Sequence, residues 1–134
     1  MTALRAGLSY FALIFAAGFM LGTLRVLVLE PALGRQIAVV IELPVMLALS
    51  WWAAGFLTRG KDRLGTPTAR LKMGATGFVL LIAGEIGLTL ILGGTLSSFA
   101  SELFTPPGLT GLSGQVVFAL TPWLRLLITR RQTG

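Results

Sequence analysis

Three ionisable residues lie inside long apolar stretches of this 134-residue chain. They are Arg25, Glu42 and Glu85, and each belongs to a different stretch. A charge placed in hydrocarbon is costly, so such residues usually pair, face a protein interior or serve an ion or substrate path. One arginine can neutralise one glutamate, and the second carboxylate would then take up a proton or recruit a cation. These three residues are therefore the candidate site.

The stretches that hold these charges are long enough to cross a membrane. The apolar runs cover residues 6–29, 37–57, 73–96 and 112–128, and only 12% of the chain is charged, against roughly a quarter in a soluble domain. Runs of about 17–25 apolar residues match a hydrocarbon core of ~30 Å. Residues within the runs do not alternate in polarity, as strands of a membrane barrel would. The sequence predicts one all-α domain, residues 1–134, with four transmembrane helices.

A shorter helix is predicted between the third and fourth runs. Polar residues there lie between apolar ones that recur at helical spacing. The apolar residues are Leu96, Phe99, Ala100, Leu103 and Phe104. This pattern is typical of an amphipathic helix that lies in the membrane interface. Pro106 and Pro107 are predicted to end it. It would serve either as a lid over an outward-facing vestibule or as a plain connector.

Counting residues from the predicted helix ends places the three charges at similar depth. Arg25 lies about 8 Å below the outer boundary, and Glu42 and Glu85 lie about 10 Å below it, at 1.5 Å per residue. A shared depth in three helices predicts a single cluster.

Small residues accompany these charges. Gly18 and Gly22 form a Gly-x-x-x-Gly motif on the face of Arg25, and Gly84 and Gly87 flank Glu85. Because small residues let membrane helices approach closely, these four glycines are predicted to lie at helix interfaces. A lone four-helix bundle is expected to enclose little space, so a transport path would lie between subunits or within an assembly.

The distribution of basic residues predicts the orientation. The net charge is +6, and with four spans nine of the eleven basic residues fall on the side that holds both termini and the middle loop. The positive-inside rule therefore places both termini in the cytoplasm. The basic residues are expected to meet lipid headgroups rather than nucleic acid. Trp51, Trp52, Trp123 and Tyr10 lie toward the same side, as an aromatic belt would.

The residue types that are missing narrow the possible chemistry. The chain has no Cys and no His, which excludes disulfides, thiol nucleophiles and the usual zinc and haem ligands. The spacing of the few carboxylates does not resemble a calcium loop. Because no catalytic motif is visible, we expect neither an enzyme nor a cofactor. A lipid-modifying activity that uses Glu85 with Thr89 is a third, weaker hypothesis.

One segment resembles a known group of membrane proteins. Gly22-Thr-Leu-Arg-Val-Leu27 is followed by Pro31, Gly34 and then Glu42-Leu-Pro-Val-Met-Leu47. This pattern, within residues 18–52, resembles small uncharacterised four-helix inner-membrane proteins of proteobacteria. The resemblance implies a fold and a location, and it implies no activity. Small multidrug exporters and fluoride channels do not match, since the first helix carries Arg25 in place of a glutamate and the chain contains no Asn.

Two functions follow from these patterns. In the first, an oligomeric inner-membrane protein passes a proton, cation or small solute. Arg25 is then a fixed counter-charge, and Glu42 and Glu85 exchange a proton or hold a cation. In the second, the chain is an accessory subunit of a larger respiratory, photosynthetic or transport complex. The same three residues would then hold helix interfaces together.

Overall fold

The computed structural model describes residues 2–133, apart from the side chains of residues 62 and 130–133. The described chain is all-α, and its helices are α1 (Ala3–Leu24), α2 (Glu30–Leu33), α3 (Arg35–Thr58), α4 (Pro67–Ile91), α5 (Leu96–Leu103) and α6 (Pro106–Thr133). A π-helical turn, Arg25–Leu29, joins α1 to α2, so that Ala3–Leu33 forms one continuous span. Four helices are long and apolar enough to cross a membrane. The predicted fold class is confirmed.

Several helix boundaries differ from the predicted runs, and two of these differences affect the region between the third and fourth spans. The third span ends at Ile91 and the fourth begins at Pro106, whereas the apolar runs ended at residue 96 and began at residue 112. Pro106 was expected to end the interfacial helix, but it starts α6 instead. A proline in the first turn of a helix loses no hydrogen bond, because the N–H at that position has no partner inside the helix. As a result, Gln115 lies more than two turns inside α6.

The four spans pack in a ring. The first span contacts α3 and α4, and α6 contacts α3 and α4 from the opposite side. We call the end that carries α5 the α5 end, and the end that carries the α3–α4 connection the loop end. Large apolar side chains are exposed around the ring, such as Met20 at 72% and Ile91 at 81%. Apolar surface on this scale, together with spans of membrane length, indicates a membrane protein.

Tyr10 ties the first span to α6 in the core. Its side chain is fully buried, its ring stacks on Phe118 with centroids 4.2 Å apart, and its hydroxyl donates a 2.6 Å hydrogen bond to the Phe118 carbonyl. In a regular helix that carbonyl would accept from residue 122, but Pro122 has no N–H to donate. The prediction that Tyr10 belongs to an aromatic belt is therefore wrong. The hydroxyl satisfies a carbonyl that the proline leaves free.

The helices approach most closely toward the loop end. A Cβ atom added to Gly74 on α4 would overlap the carbonyl oxygen of Ala119 on α6, and one added to Gly7 on α1 would lie 2.8 Å from the Met73 carbonyl oxygen. Only glycine permits backbones to meet at this separation. Tight packing there leaves the unfilled volume of the bundle at the α5 end.

Candidate functional site

A cavity of about 770 Å³ lies between the four spans at the α5 end. All three residues of the predicted cluster, Arg25, Glu42 and Glu85, line it, and so do Phe99 and Glu102 of α5. The expectation that a lone bundle encloses little space is therefore wrong. A path for a small ligand can begin within one chain.

Arg25 and Glu42 form an ion pair between the first span and α3. The Arg25 Nε atom lies 2.5 Å from the Glu42 Oε2 atom, and the side chains are 22% and 16% exposed. The Nε group does not have the geometry of a hydrogen bond to this oxygen, so the contact is chiefly a Coulomb attraction. The structure thus brings together two of the three predicted residues.

The π-helical turn adds a second acid to Arg25. The Glu30 N–H bonds to the Arg25 carbonyl across this turn, and the Arg25 Nη1 atom donates to Glu30 Oε1 at 3.0 Å. In an α-helix, residues five apart lie on different faces, whereas a π turn closes an i to i+5 hydrogen bond. Sequence analysis did not connect Glu30 with Arg25, because nothing in the residue pattern marked the π turn. Such turns occur frequently at functional sites.

The ion pairs continue across the cavity to α5. The Arg35 Nε atom lies 3.7 Å from Glu30 Oε1, and the Arg35 guanidinium contacts the Glu102 carboxylate. An unbroken series of contacts, which we call the ion chain, runs Glu42–Arg25–Glu30–Arg35–Glu102. Since Arg35 and Glu102 are 50% and 46% exposed, the chain reaches from a partly buried pair to the surface.

Glu85 stands apart from the ion chain. Its Oε1 atom accepts a 2.5 Å hydrogen bond from Gln115 Nε2 on α6, and the ion pairs among the described side chains do not include it. The Gln115 Oε1 atom is buried without a hydrogen-bond partner among the described residues. Thr89 donates to the Glu85 backbone carbonyl at 2.9 Å rather than to its carboxylate. Among the described side chains, Glu85 is therefore the cavity carboxylate that has an amide partner and no cationic one.

Two of the four predicted packing glycines contact a neighbouring helix. A Cβ on Gly84 would lie 2.8 Å from Phe15 Cε2 of α1, which is closer than side chains normally approach. A Cβ on Gly18 would lie 3.4 Å from Met46 Cε of α3, at the edge of ordinary contact. Gly84 therefore permits the approach of α1 to α4, and Gly18 makes a looser contact beside the cavity.

The other two glycines contact no neighbouring helix among the described residues of this chain, and packing against another copy stays a prediction. The nearest atom to a Cβ on Gly22 belongs to Arg25 of the same span, at 3.6 Å, and nothing lies within 4 Å of a Cβ on Gly87. Gly22 faces the cavity, where the helices do not meet. Within the Gly18-x-x-x-Gly22 motif, Gly18 therefore makes the looser contact with α3, and Gly22 lines the cavity.

Comparisons with known proteins add no family. No family model, no curated protein and no solved structure matches the chain. The resemblance of residues 18–52 to proteobacterial inner-membrane proteins stays a prediction. The functional assignment therefore depends on the side chains that line the cavity. A carboxylate with only an amide partner, at membrane depth, can take up a proton or hold a cation.

Proposed function

We propose that this protein is a non-enzymatic, homo-oligomeric protein of a bacterial inner membrane that passes a proton, cation or small solute through its cavity. Glu85 is the group that exchanges the proton or cation. Arg25 is the fixed counter-charge, and Glu42 is its neutralising partner rather than a second exchanging acid. The ion chain forms the rim of the cavity and holds the helices around it.

The relation of Glu85 to Gln115 carries this proposal. Proton uptake by a carboxylate that contacts an arginine would remove that ion pair and leave the arginine unpaired. Glu42 makes such a contact, 2.5 Å from Arg25. Glu85 has the Gln115 amide instead, and a neutral amide can bond to a carboxylate or to a carboxylic acid, since it offers both a donor and an acceptor. Glu85 can therefore change its charge without breaking an ion pair.

The distribution of charge supports the orientation. Nine of the eleven basic residues belong to the loop end and the termini, while the α5 end carries Arg25 and Arg35 beside four of the five acids. By the positive-inside rule the loop end faces the cytoplasm. The cavity then opens toward the periplasmic side, where protons and external solutes reach Glu85.

Reconstitution in proteoliposomes tests the proposal. Proton uptake is followed with an internal pH dye, under an imposed membrane potential and under a gradient of small organic amines. The wild-type protein is expected to raise uptake above that of protein-free vesicles, and Glu85→Gln is expected to abolish the increase. Asp62→Asn, which removes an acid from the loop-end turn Asp62–Leu64, is the matched control and retains the wild-type rate. An unchanged rate in folded Glu85→Gln would overturn the proposal.

The ion chain favours a second candidate, an accessory subunit of a larger membrane complex. Its five side chains connect the first span, α3 and α5. In an accessory subunit, this network would fix the positions of the helices and have no role in transport. This alternative requires a different protein to co-purify at fixed stoichiometry in mild detergent. Native mass spectrometry separates the two, since a homo-oligomer with no other chain contradicts the subunit hypothesis.

A further inference from the structure

The cavity is larger and more apolar than a path for a proton or metal ion needs. Its volume of about 770 Å³ lies within the roughly 300–1,000 Å³ of small-molecule sites. Aromatic side chains from two of the spans and from α5 line it: Phe15, Phe19, Phe99 and Phe118. Apolar and aromatic walls with a few polar groups are typical of sites for organic ligands. The walls therefore fit a ligand with an apolar body.

Acidic side chains outnumber basic ones around the cavity, since two arginines and three glutamates line it and Glu30 of the ion chain adds a fourth acid. Arg25 contacts Glu42, and Arg35 contacts Glu102. Glu85 remains, held by the neutral Gln115. An anionic ligand would have to displace a carboxylate already paired with an arginine, whereas a cation finds a free counter-charge. The electrostatics favour a positively charged ligand.

The Glu85 carboxylate and the Gln115 Oε1 atom, two hydrogen-bond acceptors in the same cavity, indicate which kind of cation fits. Gln115 lines the same cavity as Glu85, and its Oε1 atom is buried without a hydrogen-bond partner among the described residues. Buried acceptors normally have a donor, and one that lacks it is destabilising. A protonated amine supplies both a positive charge for Glu85 and N–H donors for the Gln115 oxygen. A quaternary ammonium supplies only the charge.

We propose that the cavity binds an amphipathic ammonium ion, that is, a protonated primary or secondary amine on an apolar body, with Glu85 as its counter-charge and Gln115 Oε1 as an acceptor of its N–H group. This inference rests on the proposed function, because it names the solute that shares Glu85 with the proton. The aromatic walls hold the body of the ligand. The ion chain excludes anions by keeping both arginines occupied.

Ligands with one body and different head groups test the proposal on the wild-type protein. Binding to purified protein in detergent is measured by calorimetry for phenylbutylamine, its trimethylammonium analogue, phenylbutanol and phenylbutyrate. We expect the amine to bind most tightly, about tenfold more tightly than the quaternary analogue, which lacks the charge-assisted hydrogen bond. The alcohol and the carboxylate are expected to bind more weakly than either cation. Equal affinity across the series would overturn the proposal.

Variants locate the site and separate this inference from the proposed function. Glu85→Gln is expected to remove the preference for the amine over the alcohol, and Asp62→Asn is expected to keep it. If the amine preference is present while proteoliposomes show no Glu85-dependent proton uptake, the ligand assignment stands and the transport function fails. If proton uptake depends on Glu85 while the head groups bind alike, the transport function stands and the ligand assignment fails.

Discussion

Gln115 on α6 donates a 2.5 Å hydrogen bond to the Glu85 carboxylate on α4. This contact divides the acids of the cavity into two kinds. Glu42 and Glu102 contact arginines, so a change of their charge would remove an ion pair. Glu85 is held by a neutral group and can gain or lose a charge while the contact persists. The proposed transport and the proposed ligand both depend on this difference.

Tyr10→Phe is expected to destabilise the protein by about 1–3 kcal/mol, because it leaves the buried Phe118 carbonyl without a donor. The ring stacking on Phe118 is retained in this variant. In a Pro122→Ala background the restored N–H can bond to the same carbonyl, so the loss should be smaller. Unfolding in detergent by heat or denaturing detergent measures all four proteins. An equal loss in both backgrounds would show that Pro122 does not free this carbonyl.

Arg25→Met is expected to destabilise the bundle by about 2–3 kcal/mol, since it leaves a partly buried Glu42 unpaired. Glu42→Gln should be milder, because Arg25 retains Glu30 at 3.0 Å. The double variant Arg25→Met/Glu42→Leu should recover much of the lost stability, because it leaves no unpaired Glu42 and Glu30 still contacts Arg35. Thermal unfolding and assembly in detergent provide the measurement. Additive losses in the double variant would contradict a direct ion pair.

Glu102→Gln is expected to loosen α5 over the mouth of the cavity, because it removes the contact with Arg35. Amide hydrogen exchange within α5 should become faster, and association and dissociation of phenylbutylamine should both accelerate. High salt should produce the same change in the wild type, since exposed ion pairs are screened. Ser101→Ala on the same helix is the control and should exchange as the wild type does. If amide hydrogen exchange within α5 is unchanged in Glu102→Gln, the Arg35–Glu102 contact does not hold α5 in place.

Gly74→Ala and Gly87→Ala should differ although both replace a glycine of α4. A Cβ at Gly74 overlaps the Ala119 carbonyl oxygen, so α4 and α6 must move apart. We expect this to lower the stability by about 1–3 kcal/mol. A Cβ at Gly87 meets nothing within 4 Å, and alanine raises helix propensity by up to about 1 kcal/mol. Unfolding of the two variants in the same detergent checks this ordering. Equal destabilisation would mean that Gly87 packs against another subunit.

The sequence is sufficient to predict the helices and part of the site. Apolar runs specify the four spans because hydrocarbon requires long uninterrupted helices. The spacing from Leu96 to Phe104 predicts α5, and depth counting places Arg25 near Glu42. Each of these predictions uses a local pattern or a simple length.

Contacts that depend on a helix boundary or a local irregularity could not be predicted in this way. Gln115 was missed as the partner of Glu85 because α6 begins six residues earlier than its apolar run, at Pro106. The apolar run from residue 112 puts Gln115 in the first turn of the span, whereas a count from Pro106 puts it more than two turns deep. Glu30 was missed because the π turn aligns residues five apart, and no residue pattern signals that turn.

Infrared spectroscopy of the carboxyl groups tests the central claim most directly. A protonated glutamic acid has a carbonyl stretch that disappears when the acid ionises, so a pH-difference spectrum reports which carboxyl exchanges a proton. We expect the wild type and Glu42→Gln to show this band change and Glu85→Gln to lack it. A band change that persists in Glu85→Gln and is absent in Glu42→Gln would contradict the assignment of proton exchange to Glu85.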